Sequence, residues 1–91
     1  MTALRVVISG RVQGVGYRDW MLREAERHGV HGWVRNRRDG TVEALVAGEA
    51  AAVRALLAAC RRGPAMARVV EITEEFAEAP EMPGFRRLPT G

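Results

Sequence analysis

Apolar positions change their period repeatedly along this chain. Leu4-Arg5-Val6-Val7-Ile8 is a short apolar run that predicts a strand. Tyr17, Trp20, Met21, Glu24, Ala25 and His28 then recur at helical spacing, most of them apolar, and Gly29 fits a helix stop. Val30 to Asn36, rich in β-branched and aromatic residues, predicts a second strand. Arg37-Arg38-Asp39-Gly40 carries the Asp-Gly hairpin signal, and Thr41 to Ala47 returns as a strand with Val42, Ala44 and Val46 on one face. Val53, Leu56, Leu57 and Cys60 lie at i, i+3, i+4 and i+7 of an Ala-rich run from Glu49 to Arg62. That run predicts an amphipathic helix ended by Gly63-Pro64. Arg68 to Phe76 alternates again, Val70, Ile72 and Phe76 sharing one parity, which predicts a fourth strand. Gly84-Phe85-Arg86-Arg87-Leu88 offers a short edge strand.

The order is β-α-β-β-α-β. Two helices separated by a hairpin, with strands at both ends, predict an α+β fold of the ferredoxin-like, split β-α-β kind. In it, an antiparallel sheet carries both helices on one face, the right-handed crossover preference deciding which. This topology hosts many unrelated activities, so function has to come from the site.

The chain has 91 residues, the length of one domain, 1–91, with a modest core. At 47% hydrophobic residues it is not a disordered segment. No apolar run approaches the ~20 residues of a membrane span, and no signal-peptide pattern opens the chain. The lone Cys60 can form neither an internal disulfide nor a cysteine metal cluster, which makes a reducing cytoplasm the expected location. Net charge is +3, and all 14 basic side chains are Arg. That balance is compatible with an anionic partner without identifying one.

One stretch adds chemistry. Gly10-Arg11-Val12-Gln13-Gly14-Val15-Gly16-Tyr17-Arg18 links the first strand to the first helix. Glycines there let consecutive backbone N–H groups point into one concavity, and the helix start adds unpaired N–H groups and the positive end of the dipole. Arg18 sits in the first helical turn, where a cation slightly opposes the macrodipole. A residue placed against its local preference points to a role as an anion ligand.

This run, together with Gly32-Trp33-Val34-Arg35-Asn36, Asp39-Gly40-Thr41-Val42-Glu43, Gly63-Pro64 and Ala67-Arg68-Val69, resembles the acylphosphatases, in the same order, over positions 4 to 76. The resemblance implies hydrolysis of a carboxylic–phosphoric anhydride to a carboxylate and inorganic phosphate. It further implies that Arg18 binds the phosphate, that Asn36 positions the attacking water, and that the loop from Gln13 through Gly14, Val15, Gly16 and Tyr17 to Arg18 supplies backbone donors. A small anionic acyl phosphate is then the partner, and phosphate both product and competitive inhibitor. Neither nucleic acid nor membrane is expected to bind, and the expected state is a monomer.

The residues fit that chemistry in their own right. Phosphoryl transfer needs charge stabilisation and an in-line nucleophile more than covalent chemistry. The loop amides and the guanidinium fork of Arg18 can hold nonbridging oxygens, and a neutral amide at Asn36 can orient a water. No Ser-His or Cys-His pair lies near the loop, and no carboxylate cluster resembles a metal site. The expectation is therefore no metal, no cofactor and no phosphoenzyme. A site without a general acid needs a leaving group that departs unprotonated, as a carboxylate with a conjugate-acid pKa of about 4 does.

Taken alone, Asn36 reads as a strand-end amide; the loop is what changes its meaning. Asp19 reads as a helix-terminus carboxylate, His28 and His31 as helix-end and strand-surface residues, and Cys60 as core. A noncatalytic anion-binding module on the same fold is the competing reading. RNA recognition requires aromatics on the central strands, whereas Leu4 to Ser9 has none and Arg68 to Phe76 has only Phe76.

Overall fold

The computed structural model describes residues 1–91. Leu4, Val6 and Ile8 alternate inward and buried along β1 (Thr2–Arg11), the pattern of a strand covered on one face. The chain continues through α1 (Tyr17–His28), β2 (His31–Asn36), β3 (Val42–Gly48), α2 (Ala50–Cys60), β4 (Arg68–Phe76) and β5 (Phe85–Arg87). The strands form one sheet in the order β4-β1-β3-β2-β5. Strands β1 to β4 pair antiparallel, as expected, while β5 runs parallel to β2 from Gly32 opposite Phe85 to Val34 opposite Arg87. The α+β ferredoxin-like arrangement stands, and the fifth strand makes its sheet mixed.

One hydrophobic cluster holds the layers together. Tyr17, Met21 and Ala25 of α1 and Val53, Leu56, Leu57 and Cys60 of α2 meet Val34, Val42, Ala44 and Val46 over the inward residues of β1. Full burial of a side chain such as Leu56 is worth roughly 1.5–3 kcal/mol. Both helices therefore cover the same face of the sheet.

Strand β4 departs from the expected phase. Ile72 and Phe76 do share a face, opposite the inward Ile8 and Leu4, although Phe76 at the strand end is 90% exposed, whereas Val70, 74% exposed, leaves that face. The register shifts between Ser9, opposite Glu71, and Gly10, opposite Val69. Val70 is the extra residue of a β-bulge, which flips parity, so the partly buried positions are Val69 and Ile72.

The open face of the sheet carries a charged cluster. Glu43 of β3, almost fully buried, accepts hydrogen bonds from Nε of Arg5 on β1 and, at 2.7 Å, from Nε of Arg35 on β2. Burial pushes the Glu43 carboxyl up, but the bonds from Arg35 and Arg5 outweigh it and hold the group below its ordinary pKa. The cluster ties three strands together one residue before Asn36, which ends β2.

Candidate active site

The turn between β1 and α1 takes its shape from two glycines. Gly14 and Gly16 have φ of 74° and 77°, left-handed values that a Cβ penalises. Nothing lies within 4 Å of the position a Cβ would take at either residue, so both face open space. Backbone N–H groups from Gln13 to Gly16 carry no turn or cap hydrogen bond, and those of Tyr17 and Arg18 belong to the first helical turn, which has no intrahelical acceptors. The first bond of α1 runs from the Trp20 N–H to the Gly16 carbonyl, at 3.0 Å. A row of donors is thus left for an outside acceptor.

Three anchors keep this loop in place. Val12, buried, and Val15, partly buried, pack on the core. The Gln13 side chain donates from Nε2 to the carbonyls of Arg37 and Thr41 at 2.8 and 2.9 Å, tying the loop to the hairpin between β2 and β3. Tyr17 turns its ring into the core, where its hydroxyl donates to the Cys60 carbonyl. Burial raises the phenol above its ordinary pKa, so it stays a neutral donor.

A cavity of about 150 Å³ opens in front of the loop. Gly14, Gly16, Tyr17 and Arg18 line it from one side and Asn36 from the other. No side-chain hydrogen bond within the protein engages the Asn36 amide, whose backbone carbonyl accepts from the Gly91 N–H at 3.0 Å. Arg18 donates from Nη1 to the Leu88 carbonyl at 3.3 Å, which leaves most of its guanidinium donors free. Of the residues expected at the site, Gly14, Gly16, Tyr17, Arg18 and Asn36 share this cavity. Gln13 and Val15 are absent from its lining, because their side chains serve as the tether and the packing just described.

Three lining residues escaped the sequence reading of the site: Val12, whose buried side chain backs the loop, and Asp19 and Arg87, joined by a 2.9 Å ion pair. Asp19 adjoins Arg18 in the sequence, but Arg87 reaches the cavity only through the parallel pairing of β5 with β2. The single local signal was the Arg86-Arg87 pair within the short edge strand. A second cavity, of about 170 Å³, lies by His31 at the other end of β2, lined by Met1, Ala47, Pro80, Met82 and Pro83. Its lining holds no arginine, and His31 accepts at Nδ1 from the Gly84 N–H. The arginine-lined cavity is the one suited to an anion.

The acylphosphatase family model matches residues 4–87. An acylphosphatase of Acidiphilium cryptum is 60% identical over 91 residues, covering all of both chains. The crystal structure of acylphosphatase from Bacillus subtilis superposes with a TM-score of 0.91 at 34% identity, covering 97% of this chain and 99% of that one. A structure of an acylphosphatase from Coxiella burnetii gives the same TM-score, 0.91, at 32% identity, over 96% of this chain and 92% of that one.

Proposed function

This chain belongs to the acylphosphatase family and hydrolyses acyl phosphates, and from that premise we propose which residues carry the reaction. Arg18 and the backbone N–H groups from Gln13 to Arg18 bind the nonbridging oxygens of the phosphoryl group. Asn36 holds the attacking water on the side opposite the leaving group. The water oxygen bonds to phosphorus as the bond from phosphorus to the acyl oxygen breaks, and the electron pair leaves with the carboxylate. The water's proton passes to a nonbridging phosphate oxygen, so the products are a carboxylate and dihydrogen phosphate. Most of the catalysis is charge stabilisation and alignment by groups already in place.

The observation that carries this reading is that Arg18, the Gly14–Gly16 turn and Asn36 face one cavity from two separate elements. The same donor set supports hydrolysis without a metal ion, since the loop amides and Arg18 supply the positive potential. It also supports phosphate as a competitive inhibitor, because product and substrate present the same oxygens. We further place the protein, a monomer folded as one domain over residues 1–91, in the cytoplasm. The lone, buried Cys60 fits a reducing compartment, and no helix is long and apolar enough to cross a membrane.

Steady-state hydrolysis of benzoyl phosphate, with and without EDTA, tests the reading. Activity should survive the chelator and be lost in Arg18→Ala. Chelator-sensitive turnover, or an active Arg18→Ala, would rule it out.

A further inference from the structure

Arg87 stands at the rim of the arginine-lined cavity with most of its hydrogen-bonding capacity unused. Its guanidinium has five N–H donors, yet its one ion pair in the protein is the 2.9 Å contact from Nη1 to Asp19. Both partners are about half exposed, with side-chain exposures of 46% and 56%. An exposed pair of this kind is weak, so an incoming anion can share or take over the guanidinium at little cost. Nothing in the fold needs the cation there, because β5 is held by backbone pairing with β2 and by Phe85 in the core.

The cavity size bears on where such an anion would sit. A volume of about 150 Å³ is that of a handful of waters, enough for a phosphoryl group and its attacking water but not for an acyl chain as well. With the phosphoryl group against Arg18 and the loop amides, the acyl group has to leave through the mouth, where Arg87 is half exposed. We propose that Arg87 is a specificity-determining residue that favours acyl phosphates whose acyl group carries a second negative charge, a carboxylate or a phosphate. Asp19 holds the guanidinium at the rim and competes with that charge. A neutral acyl group meets no partner at Arg87, so the residue discriminates through the part of the substrate that does not react.

This inference rests on the assignment of the phosphoryl site to Arg18 and the loop. Its test compares kcat/KM for benzoyl phosphate with that for 3-carboxybenzoyl and 4-carboxybenzoyl phosphate, which differ from it only by the added charge. Arg87→Gln should lower the ratio of carboxylated to neutral substrate by about three- to tenfold, the range of a partly solvated charged hydrogen bond. Asp19→Asn, which frees the guanidinium, should raise the ratio. In the wild type the ratio should shrink toward the Arg87→Gln value near 0.5 M salt. A ratio unchanged in Arg87→Gln, whether or not both rates fall together, overturns the proposal, as does a ratio that falls in Asp19→Asn. Failure of the phosphoryl-site assignment would show separately, as benzoyl phosphate hydrolysis persisting in Arg18→Ala.

Discussion

The Tyr17 hydroxyl donates a 2.6 Å hydrogen bond to the Cys60 carbonyl, joining the start of α1 to the end of α2. Cys60 is the last residue of α2, so its carbonyl lacks an acceptor role within the helix, and the buried phenol satisfies it. The next residue after Tyr17 is Arg18, so the arginine proposed to bind phosphate sits directly on this anchor. Tyr17→Phe should keep the ring packing, orphan the carbonyl, and cost about 1–3 kcal/mol of stability. Activity at saturating substrate should fall by less than tenfold, since the ring still fixes the backbone. Urea unfolding combined with a benzoyl phosphate assay checks both parts; an unchanged midpoint would show that water replaces the hydroxyl.

Gln13 offers the contrasting case of a loop residue whose side chain faces away from the cavity. Its two bonds, to the Arg37 and Thr41 carbonyls, couple the loop between β1 and α1 to the hairpin that follows Asn36. Gln13→Ala should loosen the relative placement of the loop and the Asn36 amide proposed to hold the water, lowering kcat by about tenfold or more while phosphate binding weakens less. Equal losses in kcat and phosphate affinity would make the side chain a substrate contact instead. Phosphate titration by calorimetry alongside steady-state kinetics separates the two outcomes.

The hairpin, both helices and the loop are legible in the sequence because each is written locally. The Asp39-Gly40 turn, the spacing of Val53, Leu56, Leu57 and Cys60, and the glycines around Val15 all state their conformation within a few residues. The phase of β4 is not, because a bulge belongs to a pair of strands: nothing in Arg68 to Phe76 announces that Val70 is skipped opposite Ser9 and Gly10. Arg87 escaped for the same reason, since its place at the cavity depends on a parallel pairing across more than fifty residues. Burial of Glu43 was likewise hidden, as it needs Arg5 and Arg35 from two neighbouring strands.

That buried carboxylate sets an acid dependence of stability. Glu43 is held below its ordinary pKa by Arg35 and Arg5, against the opposing effect of burial. A carboxylate depressed in the folded state contributes stability that is fully present above its unfolded value, about 4.3, and is lost as pH falls through the folded value. Asp39, lowered by hydrogen bonds from the Thr41 hydroxyl and backbone N–H, acts in the same direction. Glu43→Gln should therefore destabilise by about 1–3 kcal/mol at pH 7 and by less at pH 3, below the unfolded pKa. Chemical denaturation at both pH values measures the difference; a gap that stays constant would mean the charge contributes nothing beyond shape.

The two residues assigned to the reaction should fail in different ways. Arg18→Lys should lose nearly as much activity as Arg18→Ala, because an ammonium cannot reproduce the planar fork. Asn36→Ala should lose about two decades of kcat, on the order of 3 kcal/mol, with phosphate affinity close to normal, as expected when only water alignment is removed. Phosphate affinity falling in step with rate would make Asn36 a ligand contact, and substantial activity in Arg18→Lys would remove the bidentate role.

The loop glycines give the most discriminating measurement. Gly14 and Gly16 hold left-handed backbone with empty space where a Cβ would be, so alanine there meets no neighbour and acts through the backbone alone. The strain is roughly 1–2 kcal/mol, and it turns the N–H groups away from the position of the phosphate. In the proposed assignment those donors serve bound phosphate and transition state alike, so Gly14→Ala and Gly16→Ala should weaken phosphate binding and kcat/KM by similar factors. Gly29 supplies the control: it ends α1 with φ of 68° and equally open space, far from the loop in sequence. Gly29→Ala should carry a similar stability cost with phosphate binding intact. Phosphate should protect the wild type against unfolding by RT ln(1 + [L]/Kd), about 1.4 kcal/mol at ten times Kd, and protect the two loop variants less at the same concentration. If all three alanine variants lost stability equally and kept full phosphate protection, the loop amides would not be the phosphate ligands, whatever the enzyme's rate.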